Sequence, residues 1–171
     1  MNDGQSQKIL QQRADNYALS EDIKKNTSQD LLLTFYINKI KYAIEYKYLK
    51  KVILEINITP IPLSQMEFQG VCYYDGNVIS VINASALFYG KLDLSESSLI
   101  LIELKEKLIG LTVGEIIGQE FFDASIELVH FATEHAQNQK IISGIYKKEF
   151  SLINVDKLFD LFNQPYYSYS R

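Results

Sequence analysis

Side chains able to hold a metal, attack an electrophile or cradle a phosphate are few and scattered in this sequence. Two histidines, His130 and His135, and one cysteine, Cys72, occur in 171 residues. A separation of five puts the histidines on different faces of a helix and on opposite faces of a strand, and no carboxylate pattern completes a tetrahedral set around them. Cys72 lies within the apolar-aromatic run Val71-Cys72-Tyr73-Tyr74, where a thiol behaves as a small hydrophobe. As a nucleophile it would need a base in reach, and its neighbours supply none. Gly110, Gly114 and Gly118 recur every fourth residue but lack the Gly-Lys-Ser/Thr ending of a phosphate loop, so they read as bulges or close backbone approaches in a strand. Asp156 and Asp160 would share a helix face, Asp156 as the cap and Asp160 solvated. No acid, base and nucleophile converge, and the chain reads as a binding protein with no catalytic residue, metal or cofactor.

Charge narrows the partners. The net charge of −4 comes from interspersed Lys and Glu rather than from blocks. The sequence pI is about 5.2. No basic stripe or polybasic patch advertises nucleic acid or anionic lipid, so partners are expected to be proteins. No window approaches the ~18 apolar residues of a membrane span, and no charged n-region feeds an apolar stretch after Met1. A cytoplasmic protein with no membrane insertion is expected, and a single cysteine suits a reducing compartment.

The elements that would carry a binding surface begin near Leu31. Before it, residues 1–29 predict an N-terminal helix and linker, with Leu10, Ala14, Tyr17 and Ala18 on one face, packing on its own domain or on a partner. From Leu31, short apolar or alternating runs separated by polar turns predict many short strands. Leu31–Ile37 and Tyr42–Glu45 flank Asn38-Lys39, and Val71–Tyr74 and Val78–Ile82 flank Asp75-Gly76. Leu99–Leu104 and Leu108–Val113 flank Lys105-Glu106-Lys107, and Ile142–Tyr146 turns at Lys147-Lys148 into Phe150–Val155. Each is a hairpin candidate, Asp-Gly the strongest because its turn needs positive φ. Brief helices are predicted over Ser64–Phe68, over Ala84–Tyr89 capped by Asn83, and over Asp156–Phe162 capped by Asp156. Short spacings favour antiparallel barrels over βαβ units, and residues 163–171 read as a Tyr-rich tail.

Several stretches resemble the family of CheW chemotaxis coupling proteins, from about Asp30 to Leu161. The run Tyr42-Ala43-Ile44-Glu45-Tyr46-Lys47-Tyr48-Leu49-Lys50-Lys51-Val52 resembles the family's Tyr-Gly-Val-x-x-x-x-Val-x-Glu-Ile. Thr59-Pro60-Ile61-Pro62 and Phe68-Gln69-Gly70-Val71 resemble its Ile-Pro and Phe-Ile-x-Gly-Val block, and Val78 to Phe88 resembles Ile-x-Pro-Val-Ile-Asp-Leu-x-x-x-Phe. Leu108 to Val113, Ser143-Gly144-Ile145 and Leu152 to Leu158 match later signatures.

The resemblance implies an all-β fold of two intertwined five-stranded SH3-like β-barrels with short flanking helices, spanning 30–162, and no catalysis. It implies an adaptor joining the regulatory domain of a CheA-type histidine kinase to the helical cytoplasmic tip of a chemoreceptor, recruited to membrane-associated receptor arrays. The kinase surface it implies lies on the first barrel and includes Ile44, Gly70 and Val71. The receptor groove between the barrels includes Tyr46, Leu49, Lys51, Val52, Ile53 and Asp75. Ile44, Val71, Tyr46 and Leu49 read equally as core. Lys51 stands where the family has Glu and Asp75 where it has Arg, a reciprocal charge swap or else an ordinary solvated lysine beside turn chemistry. Ser80, Asn83 and Gly114 replace a Pro and two Asp, which points also to a regulator that binds kinase or other coupling proteins without standard receptor coupling, in a pilus or gliding pathway.

Overall fold

The computed structural model describes residues 31–163 except 56, 63, 96, 97, 124 and 131–138. The segment expected to form an N-terminal helix and linker, the tail beyond Asn163 and His135 lie outside the described residues. Ten strands run in chain order: β1 (Leu31–Ile37), β2 (Ile40–Glu45), β3 (Leu49–Ile53), β4 (Phe68–Tyr74), β5 (Asn77–Asn83), β6 (Ser98–Leu104), β7 (Lys107–Val113), β8 (Ile116–Phe121), β9 (Ile142–Tyr146) and β10 (Phe150–Ile153). Helix α1 (Ala84–Tyr89) follows β5, α2 (Val155–Asn163) follows β10, and 3-10 turns occupy Tyr46–Tyr48 and Gln139–Ile141.

All four expected hairpins form, and all turn on two residues of positive φ: Asn38-Lys39, Asp75-Gly76, Lys105-Glu106 and Lys147-Lys148. Such mirror-image turns match the right-handed strand twist. The third is one residue tighter than expected, because Lys107 already pairs with Leu104 in the β6–β7 ladder. Lys105 (φ 50°) and Glu106 (φ 65°) hold a conformation that favours Asn and Gly. Replacing them with Asn-Gly should raise stability by about 1 kcal/mol. A urea midpoint unchanged from wild type would contradict this.

The strands form two five-stranded sheets, ordered β8-β1-β2-β10-β9 and β3-β6-β7-β5-β4. The sheets are permuted copies of one plan. In each, a central hairpin (β1–β2 or β6–β7) is flanked by a hairpin joined to it in parallel, β2 with β10 and β7 with β5. Each flanking hairpin runs into a short helix. Asn83 Oδ1 accepts the Ala86 N–H at 2.9 Å, and Asn154 Oδ1 accepts the Lys157 N–H at 2.9 Å. Asn154, not Asp156, therefore caps α2, and its carbonyl also takes the Leu158 N–H. Each sheet curls until the chain beyond one edge meets the other edge at a single antiparallel bridge, Thr59 with Val71 and Val129 with Ile145.

Burial follows from this curl. Leu32, Ala43, Tyr146, Phe150 and Leu152 fill one barrel, and Cys72, Ile79, Val81, Leu99 and Leu101 fill the other. Between the sheets, Phe35, Ile37 and Ile44 meet Ile100, Ile102 and Leu111, with Leu87 of α1 and Leu158 of α2 in the same core. β1 is thus covered on both faces, which explains why Leu31-Leu32-Leu33 is a continuous apolar run. Across the seam the hydroxyls of Tyr42 and Tyr89 share a 2.8 Å hydrogen bond. Burial, then that hydrogen bond, push the Tyr42 phenol well above its usual range.

The helix expected over Ser64–Phe68 is absent. A turn at Met66-Glu67 leads into β4, and Ser64 Oγ donates to the carbonyls of Ile61 (2.9 Å) and Phe68 (3.1 Å). A serine that bonds the backbone this way competes with helix formation.

Candidate protein-binding site

On the second barrel the β3–β4 connection and the loop after α1 enclose an apolar groove of about 440 Å³. Pro60, Ile61, Met66 and Phe68 line it from one side, Leu92 and Leu94 from the other. Leu94 is 71% exposed, and Ile61, Met66 and Leu92 are also exposed. Exposed apolar side chains gathered on one surface make this groove a candidate contact site.

Two devices hold the walls. Gly70 brings β4 so close to the β3–β4 connection that Thr59 and Val71 exchange backbone hydrogen bonds of 2.8 and 2.9 Å. The second is Asn83, fully buried. Besides capping α1, its Nδ2 donates to the Asp93 carbonyl (2.8 Å) and to Gln69 Oε1 and Thr112 Oγ1 (both 3.3 Å). Thr112 Oγ1 in turn donates to Gln69 Oε1 at 2.8 Å. One amide thus ties the Leu92–Leu94 wall to the Gln69 wall. The Asp93 carboxylate accepts the hydroxyl (2.6 Å) and N–H (2.9 Å) of Ser95, which hold it below the usual carboxylate range and stiffen the loop.

The residues singled out from sequence separate. Ile44 is 0% exposed and belongs to the core of the seam. Gly70 is buried, while Val71 is half-buried and pairs with Ser80. Ile44 and Gly70-Val71 belong to different sheets. Tyr46, Leu49 and Val52 are half-buried against the seam core, and Ile53 packs against the Cys72 cluster. Lys51 and Asp75 are both exposed. They form no ion pair; the Lys51 ammonium lies 5.4 Å from the Tyr74 ring centroid, a cation–π contact. Its neighbour Lys50 pairs with Glu103 at 2.9 Å.

Elsewhere, Cys72 is 3% exposed and burial pushes its thiol up, away from the reactive thiolate. Among the described residues no three His, Cys, Asp or Glu side chains converge on a metal geometry, and no helix is long and apolar enough to cross a membrane. Gly110 and Gly114 are close approaches: a Cβ would lie 2.9 Å from Leu99 Cδ1 and 3.1 Å from the Tyr36 carbonyl oxygen, respectively. The groove residues Ile61, Met66, Leu92 and Leu94 carry no periodic signal. Their only mark in the sequence is apolar character inside loop chemistry.

Two permuted five-stranded sheets, each curled into a barrel over a shared apolar seam, define a two-barrel SH3-like fold. The family model for the CheW-like domain matches residues 31–163, and the chain belongs to that family. Among solved structures it is similar to the scaffolding protein TtCheW from Thermoanaerobacter tengcongensis, at 18% identity over 73% of this chain and 88% of that one, with a TM-score of 0.64. That likeness concerns the fold. No curated protein matches the chain in a sequence comparison.

Proposed function

We propose that this chain is a non-catalytic chemosensory adaptor whose apolar groove on the second barrel docks the regulatory domain of a CheA-type histidine kinase. The groove carries the reading: four exposed apolar side chains are held on two braced walls beside Gly70 and Val71, the block implicated by family resemblance. A helical chemoreceptor tip fits the β3 side, where half-buried Tyr46, Leu49 and Val52 offer apolar anchors and Lys51 offers charge. The CheW-like domain then comprises residues 30–162 and works on the cytoplasmic face of a receptor array. Leu94→Asp should weaken binding to the kinase regulatory domain thirtyfold or more, about 2 kcal/mol, because such interfaces rest on few anchors. Calorimetry showing wild-type affinity for a natively folded Leu94→Asp protein would refute the groove as the docking site.

One observation favours a second reading. Lys51 has no carboxylate partner among the described residues and leans on Tyr74, so the β3 side shows the charge opposite to the family's Glu. A surface of reversed sign rejects partners built for the usual one. The chain would then regulate kinase or another coupling protein without receptors. Cosedimentation with kinase but not with receptor tips selects this reading; cosedimentation with both rejects it.

A further inference from the structure

A sheet edge with unpaired backbone groups is a template for pairing, and folded proteins blunt such edges with cover or charge. Three of the four edges here are managed. The bridge from Thr59 covers β4, and the bridge from Val129 covers β9 through hydrogen bonds of 2.9 and 3.1 Å. β3 exposes Lys50 and Lys51. β8 differs. Among the described residues it is paired on one side alone, with β1, and Ile116–Phe121 contains no Lys, Arg or Pro. Its single charge, Glu120, pairs with Lys41.

The alternation of the ladder shows which groups face outward. The two-residue turn at Asn38-Lys39 closes on the pair Ile37 and Ile40, so odd-numbered β1 residues hydrogen-bond β2 and even-numbered ones bond β8. The hydrogen bond from the Tyr36 N–H to the Glu115 carbonyl agrees. Thr34 and Leu32 oppose Gly118 and Glu120, which leaves Gln119 and Phe121 directing N–H and C=O away from β1. A bulge leaves Ile117 unopposed. Ile117 is 42% and Phe121 73% exposed.

This edge is complementary to itself. Antiparallel pairing about Gln119 sets Gln119 against its own copy as a hydrogen-bonded pair and puts each Phe121 opposite the other copy's Ile117. Glu120 falls opposite Gly118, so no like charges meet. We propose that β8 is a homodimerisation edge, through which two copies of this chain join their first sheets around a two-fold axis at Gln119. Apolar contact comes from Ile117 and Phe121 alone, so the dimer belongs to the small, transient class of interface and dissociates on dilution.

A cysteine at the axis tests the geometry, because hydrogen-bonded antiparallel pairs sit about 5.5 Å apart at Cα, within disulfide range. The sole native thiol, Cys72, is buried. Under copper-phenanthroline oxidation Gln119→Cys should cross-link into dimers at least tenfold faster than Val78→Cys, an exposed control on the β4–β5 hairpin. In sedimentation equilibrium, wild type and the groove variant Leu94→Asp should dimerise with rising concentration, and Phe121→Lys should remain monomeric. Equal cross-linking at the two positions, a wild-type protein monomeric into the millimolar range, or a dimer that survives Phe121→Lys would each overturn the proposal.

Discussion

Gly70→Ala should cost about 3 kcal/mol of stability, a drop in Tm on the order of 10 °C for a domain of this size. A Cβ at Gly70 would lie 2.2 Å from the Thr59 carbonyl oxygen, 2.8 Å from its carbon and 2.9 Å from Pro60 Cα. All three are backbone atoms, so relief requires moving the β3–β4 connection and losing both Thr59–Val71 hydrogen bonds. Overpacking of this kind costs about 1–3 kcal/mol, and φ of +150° adds backbone strain of order 1 kcal/mol for any L residue. Gly76→Ala separates the two contributions, because Gly76 has positive φ but nothing within 4 Å of a Cβ; it should lose only about 1 kcal/mol. Equal denaturation midpoints for the two variants would show that the close approach at Thr59 is not the source. A substitution at Gly70 therefore disrupts the groove wall from inside, and a loss of binding to the proposed kinase partner there would report folding rather than contact.

Asn83→Ala should be of similar size, about 3 kcal/mol. Loss of the N-cap to Ala86 contributes about 1 kcal/mol. The deletion also leaves the Asp93 carbonyl without its 2.8 Å donor and breaks the Gln69–Thr112 cluster, and unsatisfied buried polar groups cost about 1–3 kcal/mol. The loss should be localised. Backbone amides of residues 91–95 should exchange faster with deuterium while those of β1 and β2 keep wild-type protection. Asn83→Asp retains the capping oxygen but sets a carboxylate oxygen against the Asp93 carbonyl, so it should keep the cap without restoring protection at 91–95. Identical exchange at 91–95 in Asn83→Ala would refute the bracing role.

Much of the architecture was legible because turn chemistry is local. Asp75-Gly76, Asn38-Lys39 and Lys147-Lys148 stood between apolar runs and formed hairpins, and Asn83 announced α1. What failed was decided partly by local side-chain bonds and partly over longer distances. Ser64–Phe68 looked helical after Pro62, but the Ser64 hydroxyl satisfies the backbone differently and β4 draws Phe68 into a sheet. Asp156 lost the cap to Asn154 because the helix begins one residue earlier, at Val155. Ile44 could not be told from a surface residue, since a strand covered on both faces loses the alternation that separates inside from outside. The groove was invisible for a related reason: Met66 and Leu94 meet only after both loops are placed. The permuted repeat left a faint trace, Gln69-Gly70-Val71 and Ser143-Gly144-Ile145, each in the first strand of a hairpin that runs into an Asn-capped helix.

The permuted chain path also sets an order of events during synthesis. β1 and β2 emerge first, yet two of their sheet neighbours, β8 and β10, are made last, after the whole of the second barrel. At roughly 5–20 residues per second, the β1–β2 hairpin waits on the order of ten seconds beside the ribosome with Phe35, Ile37 and Ile44 uncovered. The second barrel, contiguous from β3 to β7, can close in that interval and offer Ile100, Ile102 and Leu111 as a surface for the waiting hairpin to settle on. The inserted barrel would thereby act as a folding template for the barrel into which it is inserted.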